Sequence, residues 1–496
     1  MLRSKDYYAL LGVRRDASPE EIKRAYFQAA HRLHPDKNTA AGETELFLGV
    51  QQAYEVLSNS TRRMQYDATL APEENISLPY TYKVLYSRPN LVRLSEPQML
   101  YFILELDAPA SVHATPAPPL NVCLVLDRST SMLGEKMDMV KATAIQVLRN
   151  LRPQDILSVV AFSDRAEVII PASYGQDKAR AEAQIQMIRP SGATEIYQGL
   201  EAGAKEVVRS LDTRRVSHII LLTDGRTYGD EQQCLTLASR LAERGVGISG
   251  MGIGQEWNDI FLDVLATRTG GSSAYITQPQ DIKRLLLEKF HALAQTYAED
   301  VTLETQPIAG VELTYAFRLQ PEPSTIALGE NALHLGPILQ DASTQVIFEY
   351  LVHPEAVRSD ALVVVDGLLK VSIASQALPV PPLRLRLARP VSDSPEPEPP
   401  PPAIVQALSR LMLYRMQERA QKDIEKGNIE GATRHLQVLA SNLLMEGQRN
   451  LAQTILLEVE HLKKQNALTI EGSKRIKYGT RSLFNDTPSK KKELIS

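Results

Sequence analysis

The sequence predicts a multidomain chain: a helical unit first, then a doubly wound α/β domain set within a β-sandwich, then a helical C-terminal segment. Three observations predict it. Apolar residues fall at helical spacing over residues 18–67. Residues 119–277 alternate short apolar runs with amphipathic stretches, the pattern of strand–helix units. The runs on either side of that block alternate apolar and polar residues between turn residues, as half-buried strands do. A length of 496 residues suggests three or four domains, and 43% hydrophobic with 23% charged residues supplies ample core. Lys and Arg total 55 against 59 acids, a net charge of −4, so no overall basic footprint for nucleic acid is expected. Two cysteines, Cys123 and Cys234, cannot build a disulfide framework or a four-cysteine zinc site. The opening MLRSKDYYALLGV is broken by charge and does not read as a secretory signal. No apolar run reaches the ~18–20 residues of a membrane helix. A soluble protein of a reducing compartment is expected, without membrane insertion.

The first unit, residues 1–70, is the sharpest. Ser18-Pro19-Glu20-Glu21 is a helix start: Ser18 caps, Glu21 reaches back, and Pro19 stands where no donor is needed. Ile22, Ala25, Tyr26, Ala29 and Leu33 form one apolar stripe, and Lys23, Arg24, His31 and Arg32 line the opposite face. Pro35 stops the helix. Phe47, Val50, Tyr54 and Leu57 mark a second helix, so the pair should form an antiparallel hairpin with His34-Pro35-Asp36 at its tip.

Over residues 4–68 this unit resembles the J domain of DnaJ-type co-chaperones. The resemblance rests on Asp6-Tyr7-Tyr8-Ala9-Leu10-Leu11-Gly12-Val13, His34-Pro35-Asp36-Lys37, Tyr54-Glu55-Val56-Leu57 and Tyr66-Asp67, in order and at these spacings. It implies stimulation of ATP hydrolysis by a DnaK-type 70-kDa heat-shock chaperone. Asp36 would be the charged contact, His34 and Pro35 would fix the loop, and Lys23, Arg24 and Arg32 would form the docking face. Basic residues alone would read as an ordinary solvated helix side; beside His34-Pro35-Asp36 the docking reading is expected. No glycine/phenylalanine-rich stretch or Cys-x-x-Cys repeat follows, so client selection must lie further along.

In residues 119–297 the apolar runs 122–126, 156–162, 218–223, 246–252 and 273–277 suit a parallel sheet, with helices over 135–151, 178–187, 196–210, 231–243 and 258–268. Ligands of such folds gather at the carboxyl ends of the strands. There stand Asp127-Arg128-Ser129-Thr130-Ser131, Gly192-Ala193-Thr194-Glu195 and Thr223-Asp224-Gly225, a supply of carboxylate and hydroxyl oxygens for a hard cation. This constellation resembles the von Willebrand factor type A domain and its metal-ion-dependent adhesion site. Asp127, Ser129, Ser131, Thr194 and Asp224 match the family's five positions, and Thr130 stands where many members have glycine. The resemblance implies a divalent metal, Mg2+ first with Ca2+ or Mn2+ as alternatives, and an open coordination place for an acidic residue of a partner protein.

No catalytic residue is assigned and the chain is not expected to be an enzyme. A phosphatase of the haloacid-dehalogenase type needs Asp-x-Asp, whereas position 129 is serine. Nucleophile-elbow, zincin and P-loop motifs are missing from the sequence. Cys123 and Cys234 read as inert core residues.

Residues 76–118 and 298–388 should together form one β-sandwich in two segments, because the first segment alone is short of core. Residues 389–402, with SDSPEPEPPPP, read as a stiff spacer. Residues 403–466 read as a helical bundle or hairpin, with Leu408, Leu411, Met412, Tyr414 and Arg415 near one seam and turns at Gly427-Asn428 and Glu446-Gly447. Residues 467–496 are expected to be a basic flexible tail; from Lys463 onward nine basic residues face three acidic ones. The functional expectation is a cytoplasmic, bacterial co-chaperone that recruits a client or partner protein through its metal-dependent domain. The alternative is an assembly scaffold or adhesion adaptor to which the J domain brings the chaperone.

Overall fold

The computed structural model describes residues 7–13, 17–33, 43–59, 62–63, 66, 78–109, 117–227, 229–328, 332–374, 380–395 and 398–484. Three helices open the chain: α1 (Tyr7–Leu11), α2 (Pro19–Leu33) and α3 (Glu43–Leu57). Their shared core is small, with Tyr8, Leu11, Ile22, Ala29, Val50, Ala53 and Leu57 all buried. The expected start of α2 is built as the sequence specifies. Glu21 donates its N–H to Ser18 Oγ at 3.2 Å, and Ser18 donates its N–H to Glu21 Oε2 at 2.7 Å.

Strands β1 (Thr81–Tyr86), β2 (Leu91–Val92) and β3 (Gln98–Asp107) follow. The α/β domain then runs through β4 (Leu120–Asp127), α4 (Glu135–Arg149), β5 (Ile156–Phe162), β6 (Ala166–Ile170), α5 (Lys178–Gln186) and α6 (Ile196–Arg209). It continues through β7 (Val216–Thr223), α7 (Glu231–Ala242), β8 (Val246–Ile253), α8 (Asp259–Thr267), β9 (Ser273–Ile276) and α9 (Pro279–Ala294). Its sheet has the order β6-β5-β4-β7-β8-β9, parallel throughout except for the antiparallel edge strand β6. Alternation along β4 shows why helices cover both faces. Leu120, Val122, Leu124 and Leu126 pack with α4, α5 and α9, while Cys123 and Val125 pack with α6, α7 and α8. Both cysteines are buried and free, and burial pushes the Cys123 thiol up to about 12. The sequence reading named neither β6 nor α9.

The chain returns to β structure with β10 (Thr296–Thr305), β11 (Val311–Gln320), β12 (Ser324–Thr325), β13 (Leu333–Leu339), β14 (Thr344–Val352), β15 (Ala361–Ser372) and β16 (Leu383–Ser392). One sheet has the order β1-β3-β14-β11-β12 and the other β13-β10-β15-β16-β2, so each sheet joins strands from before the α/β domain to strands from after it. Phe102, Leu104, Phe348, Tyr350, Leu303 and Leu385 share the core between them. The α/β domain is therefore inserted in a β-sandwich, as the alternation pattern predicts. β16 extends four residues beyond the expected sandwich boundary at 388, because Val391 and Ser392 pair in parallel with Leu91 and Val92.

Four helices close the described chain: α10 (Pro402–Glu425), α11 (Ile429–Met445), α12 (Arg449–Gln465) and α13 (Ile470–Ser482). Leu413, Leu436, Leu443, Ile455, Leu462 and Ile476 form their common core. The bundle is also seated on the sandwich, where Ile404, Leu411, Tyr414 and Phe484 meet Ile103, Phe317 and Ile347. Met412, expected near that seam, is instead 58% exposed. The expectation of a flexible basic tail over 467–496 is corrected in its first half. Thr469 caps α13 by accepting from Gly472 N–H at 2.9 Å, and Lys477 and Arg481 of this helix are engaged by acids of the α/β domain. Residues 485–496 lie outside the described residues.

Candidate functional site

The carboxyl ends of β4 and β7 are neighbours in the sheet, and this adjacency brings the two predicted acids together. Beyond Asp127 the chain folds back at once, since Ser129 N–H donates to Asp127 Oδ1 at 2.8 Å. A 3-10 turn over Thr130–Met132 follows, and the hydroxyls of Ser129 and Ser131 come to lie 3.0 Å apart. Ser131 Oγ donates to Asp224 Oδ1 at 2.6 Å. Thr223, the last residue of β7, donates its hydroxyl to Asp127 Oδ2 at 2.6 Å.

Thr194 arrives on the loop before α6. That loop is stapled to the first one: Thr130 N–H donates to Gly192 O at 3.2 Å, and Ser191 N–H to Arg128 O at 2.7 Å. The Thr194 hydroxyl stands so near Gly225 that a Cβ there would lie 2.7 Å from it, which only glycine avoids. All five predicted metal ligands thus converge on one cup. Asp127, Ser129 and Asp224 form its buried floor, Ser131 is exposed, and Thr194 is half-buried.

The electrostatics suit a cation. Burial, with the nearby Asp224 carboxylate adding to it, raises the Asp127 carboxyl above its ordinary range despite the hydrogen bonds from Thr223 and Ser129. Two acids and three hydroxyls in a partly desolvated pocket fit a hard divalent ion such as magnesium better than a soft one. Lys136, at the start of α4, supplies one positive charge: its Nζ lies 2.5 Å from Asp224 Oδ2 and 3.3 Å from Ser131 O.

Sequence reasoning missed the residues that hold the ligand loops. These are Lys136 and a Thr227–Asp230 pair whose Oγ1 and Oδ2 accept the first α6 N–H groups, of Ile196 at 3.1 Å and Tyr197 at 2.8 Å. Asp164 accepts Ala193 N–H at 2.6 Å in the same supporting role. Thr223-Asp224-Gly225 was visible as a polar strand end; the long-range partners of Thr227, Asp230 and Asp164 leave no local signal.

At the N-terminal unit, Lys23 and Arg24 are exposed on α2, which also includes Arg32. His34, Pro35 and Asp36 lie outside the described residues. The hairpin beneath is held by stacking of Tyr26 on Tyr54, 4.2 Å between centroids, and by Tyr7 N–H donating to Tyr66 Oη at 2.8 Å.

Comparison with known proteins divides the chain in the same way. Residues 6–67 match the DnaJ domain, residues 121–289 the von Willebrand factor type A domain, and residues 402–486 the Sll0103-like C-terminal alpha-helical domain. The uncharacterized protein sll0103 of Synechocystis sp. is 34% identical over 177 residues, covering 36% of this chain and 42% of that protein. The DnaJ homolog subfamily B member 12 of Mus musculus is 56% identical over 63 residues, 13% of this chain and 17% of its own length. The chain thus spans well under two thirds of either relative. Among solved structures, the von Willebrand factor type A protein from Catenulispora acidiphila superposes with a TM-score of 0.62 at 14% identity, over 83% of this chain and 98% of its own. That likeness extends the shared fold well beyond the α/β domain. The chain therefore carries a DnaJ domain followed by a von Willebrand factor type A domain and an Sll0103-like helical domain.

Proposed function

We propose that the protein is a co-chaperone that stimulates the ATPase of a DnaK-type 70-kDa heat-shock chaperone and brings it a partner protein held at the metal cup. The observation that carries the reading is the convergence of Asp127, Ser129, Ser131, Thr194 and Asp224 in a chain that also has a DnaJ domain. His34, Pro35 and Asp36, with Lys23, Arg24 and Arg32, would engage the chaperone. A bound Mg2+ would supply a positive point for a carboxylate of the partner.

This chain's own residues set up that function. Asp127 and Asp224 supply charge, the three hydroxyls orient it, and exposed Ser131 leaves the front of the cup accessible. Asp127 accepts from Ser129 and Thr223, and Asp224 from Ser131 and Lys136, so both carboxylates are held in place among the hydroxyls that would share the ion. Two buried free cysteines accord with a reducing cytoplasm. Among the described residues no helix is long and apolar enough to cross a membrane.

Two readouts on the full chain test the reading. Stimulation of a DnaK-type ATPase should fall to the unstimulated rate in Asp36→Asn and persist in Asp224→Ala. Capture of partner from lysate should need Mg2+ and disappear in Asp224→Ala. Equal stimulation by wild type and Asp36→Asn would sink the chaperone half. One folded partner held only with metal would favour the adaptor over the generalist co-chaperone.

A further inference from the structure

The C-terminal helix reaches the wall of the metal cup. Lys474, Lys477, Tyr478 and Arg481 are spaced i, i+3, i+4 and i+7, which puts them on one face of α13. That face lies against the α/β domain. Lys477 Nζ is 2.6 Å from Asp259 Oδ2 and 2.7 Å from Asp263 Oδ2, and Arg481 Nη2 is 2.9 Å from Asp263 Oδ2. The Tyr478 ring packs beside Trp257 and Tyr275, with centroids 5.9 Å and 5.8 Å away. Lys474 is only 3% exposed. Its ammonium lies over the Trp257 ring, 4.3 Å from the centroid, and donates to the carbonyls of Gln255 and, at 2.6 Å, Trp257.

Those carbonyls belong to the loop between β8 and α8, and the same loop borders the cup. Arg226, two residues past Asp224, donates Nε–H to Glu256 O at 3.0 Å. A Cβ at Gly254 would come within 4.0 Å of Lys136 Nζ, the ammonium paired with Asp224. Trp257 Nε1–H donates to Gly254 O at 2.8 Å and closes the loop on itself. One short loop is therefore gripped by α13 on one side and, on the other, bonded to Arg226, two residues past Asp224. A buried ammonium is costly unless its donors are met, and here two loop carbonyls and an indole face meet them.

We propose that Lys474 is a positioning residue for the metal cup: through residues 254–257, α13 fixes the Lys136 and Arg226 wall beside Asp224, so that docking of the C-terminal helix and metal binding strengthen each other. The proposal rests on the cup being a divalent-cation site. Linkage makes the effect reciprocal, since whatever factor docking adds to metal affinity, metal adds to docking.

Trp257 is the only tryptophan of the chain, so it reports on this contact without a label. Mg2+ is titrated into the full chain, with heat and Trp257 emission read together. Wild type should give saturable heat and an emission change with the same midpoint, and Asp224→Ala should lose both. Lys474→Gln should keep the heat with a midpoint raised about 5-fold or more, and should lose the emission change. Glu471→Ala removes a partly exposed contact to Gln255 without touching the buried ammonium, and should shift the midpoint the same way by less. It keeps the test readable if Lys474→Gln unfolds. Heat that vanishes in Asp224→Ala but has the wild-type midpoint in both other variants overturns the positioning role and leaves the cup intact. No heat in wild type, or heat that survives Asp224→Ala, overturns the cup and the positioning role with it.

Discussion

The two ends of the parallel sheet treat buried charge in opposite ways. At the amino-terminal end, where the α/β domain meets the sandwich, Arg318 of β11 donates to the carbonyls of Gly270 at 2.8 Å, Gly271 at 2.7 Å and Glu322 at 2.9 Å. The Glu322 carboxylate in turn takes Lys289 of α9 at 2.7 Å. Burial alone would raise the Glu322 carboxyl, yet Lys289 and Arg318 hold it down at about 2. At the carboxyl end Asp224 takes the Lys136 ammonium and the Ser131 hydroxyl, Asp127 takes the Ser129 N–H and the Thr223 hydroxyl, and the Asp127 carboxyl is pushed the other way. Buried charge alone is thus a poor marker of function. At the joint two cations outnumber one carboxylate, whereas at the cup two acids face one ammonium, so the candidate site is the end left with unmatched negative charge.

The contrast can be broken most forcefully at the joint. Arg318→Ala strands the buried carbonyls of Gly270, Gly271 and Glu322, and should cost about 3–5 kcal/mol in urea unfolding of the full chain. A loss below about 1 kcal/mol would show that the joint carries no such weight. The next test uses acid. His218 accepts or donates one hydrogen bond with Ser249 at 2.9 Å, and burial, with the Lys289 charge adding to it, lowers its pKa to about 3. The unfolded chain takes up a proton on this side chain near pH 6.5 while the native chain does not. Stability should therefore fall as pH drops from 6.5 toward 3, by on the order of 2 kcal/mol at pH 5. Subtracting the unfolding curves of His218→Gln at pH 7 and pH 5 isolates this contribution, and parallel curves for the two proteins would remove it. The smallest effect belongs to the cup. With chelator present, Asp127→Asn should change stability by no more than about 1 kcal/mol, because relief of the crowded acid offsets the altered hydrogen bonds. A loss as large as that of Arg318→Ala would mean that Asp127 is a structural acid.

What the sequence revealed follows the range of the interactions. Asp127, Ser129 and Ser131 sit within five residues, Thr194 stands just before a helix start, and Asp224 just after a strand end. The cup was therefore legible from pattern. The capping box at Ser18 and Glu21 was legible for the same reason. α9, not among the expected helices, carries the same kind of signal, since Ile282, Leu286, Phe290 and Leu293 repeat at helical spacing behind Pro279. The C-terminal helix was hidden by its chemistry. Lys474, Lys477 and Arg481 form a helical stripe, but a stripe of cations normally faces water. Only the distant acids Asp259 and Asp263 make it a buried face. Asp263 shows how strongly: burial would raise its carboxyl, and Arg481 and Lys477 nonetheless hold it far below the usual carboxylate range. Charge complementarity across some 215 residues has no local signature.

The insertion of the α/β domain within the sandwich has a consequence for exchanging one binding head for another. The head is joined to its frame by peptide crossings from β3 to β4 and from α9 to β10, but also by non-covalent receptacles. The Gly270 and Gly271 carbonyls receive Arg318, and the Asp259 and Asp263 carboxylates receive α13. A foreign domain grafted at the crossings alone would deprive Arg318, Lys477 and Arg481 of these carbonyl and carboxylate partners at a new seam. Diversification of this architecture is thereby channelled toward the loops of the cup, where a substitution alters what is grasped without unseating the hand that grasps it.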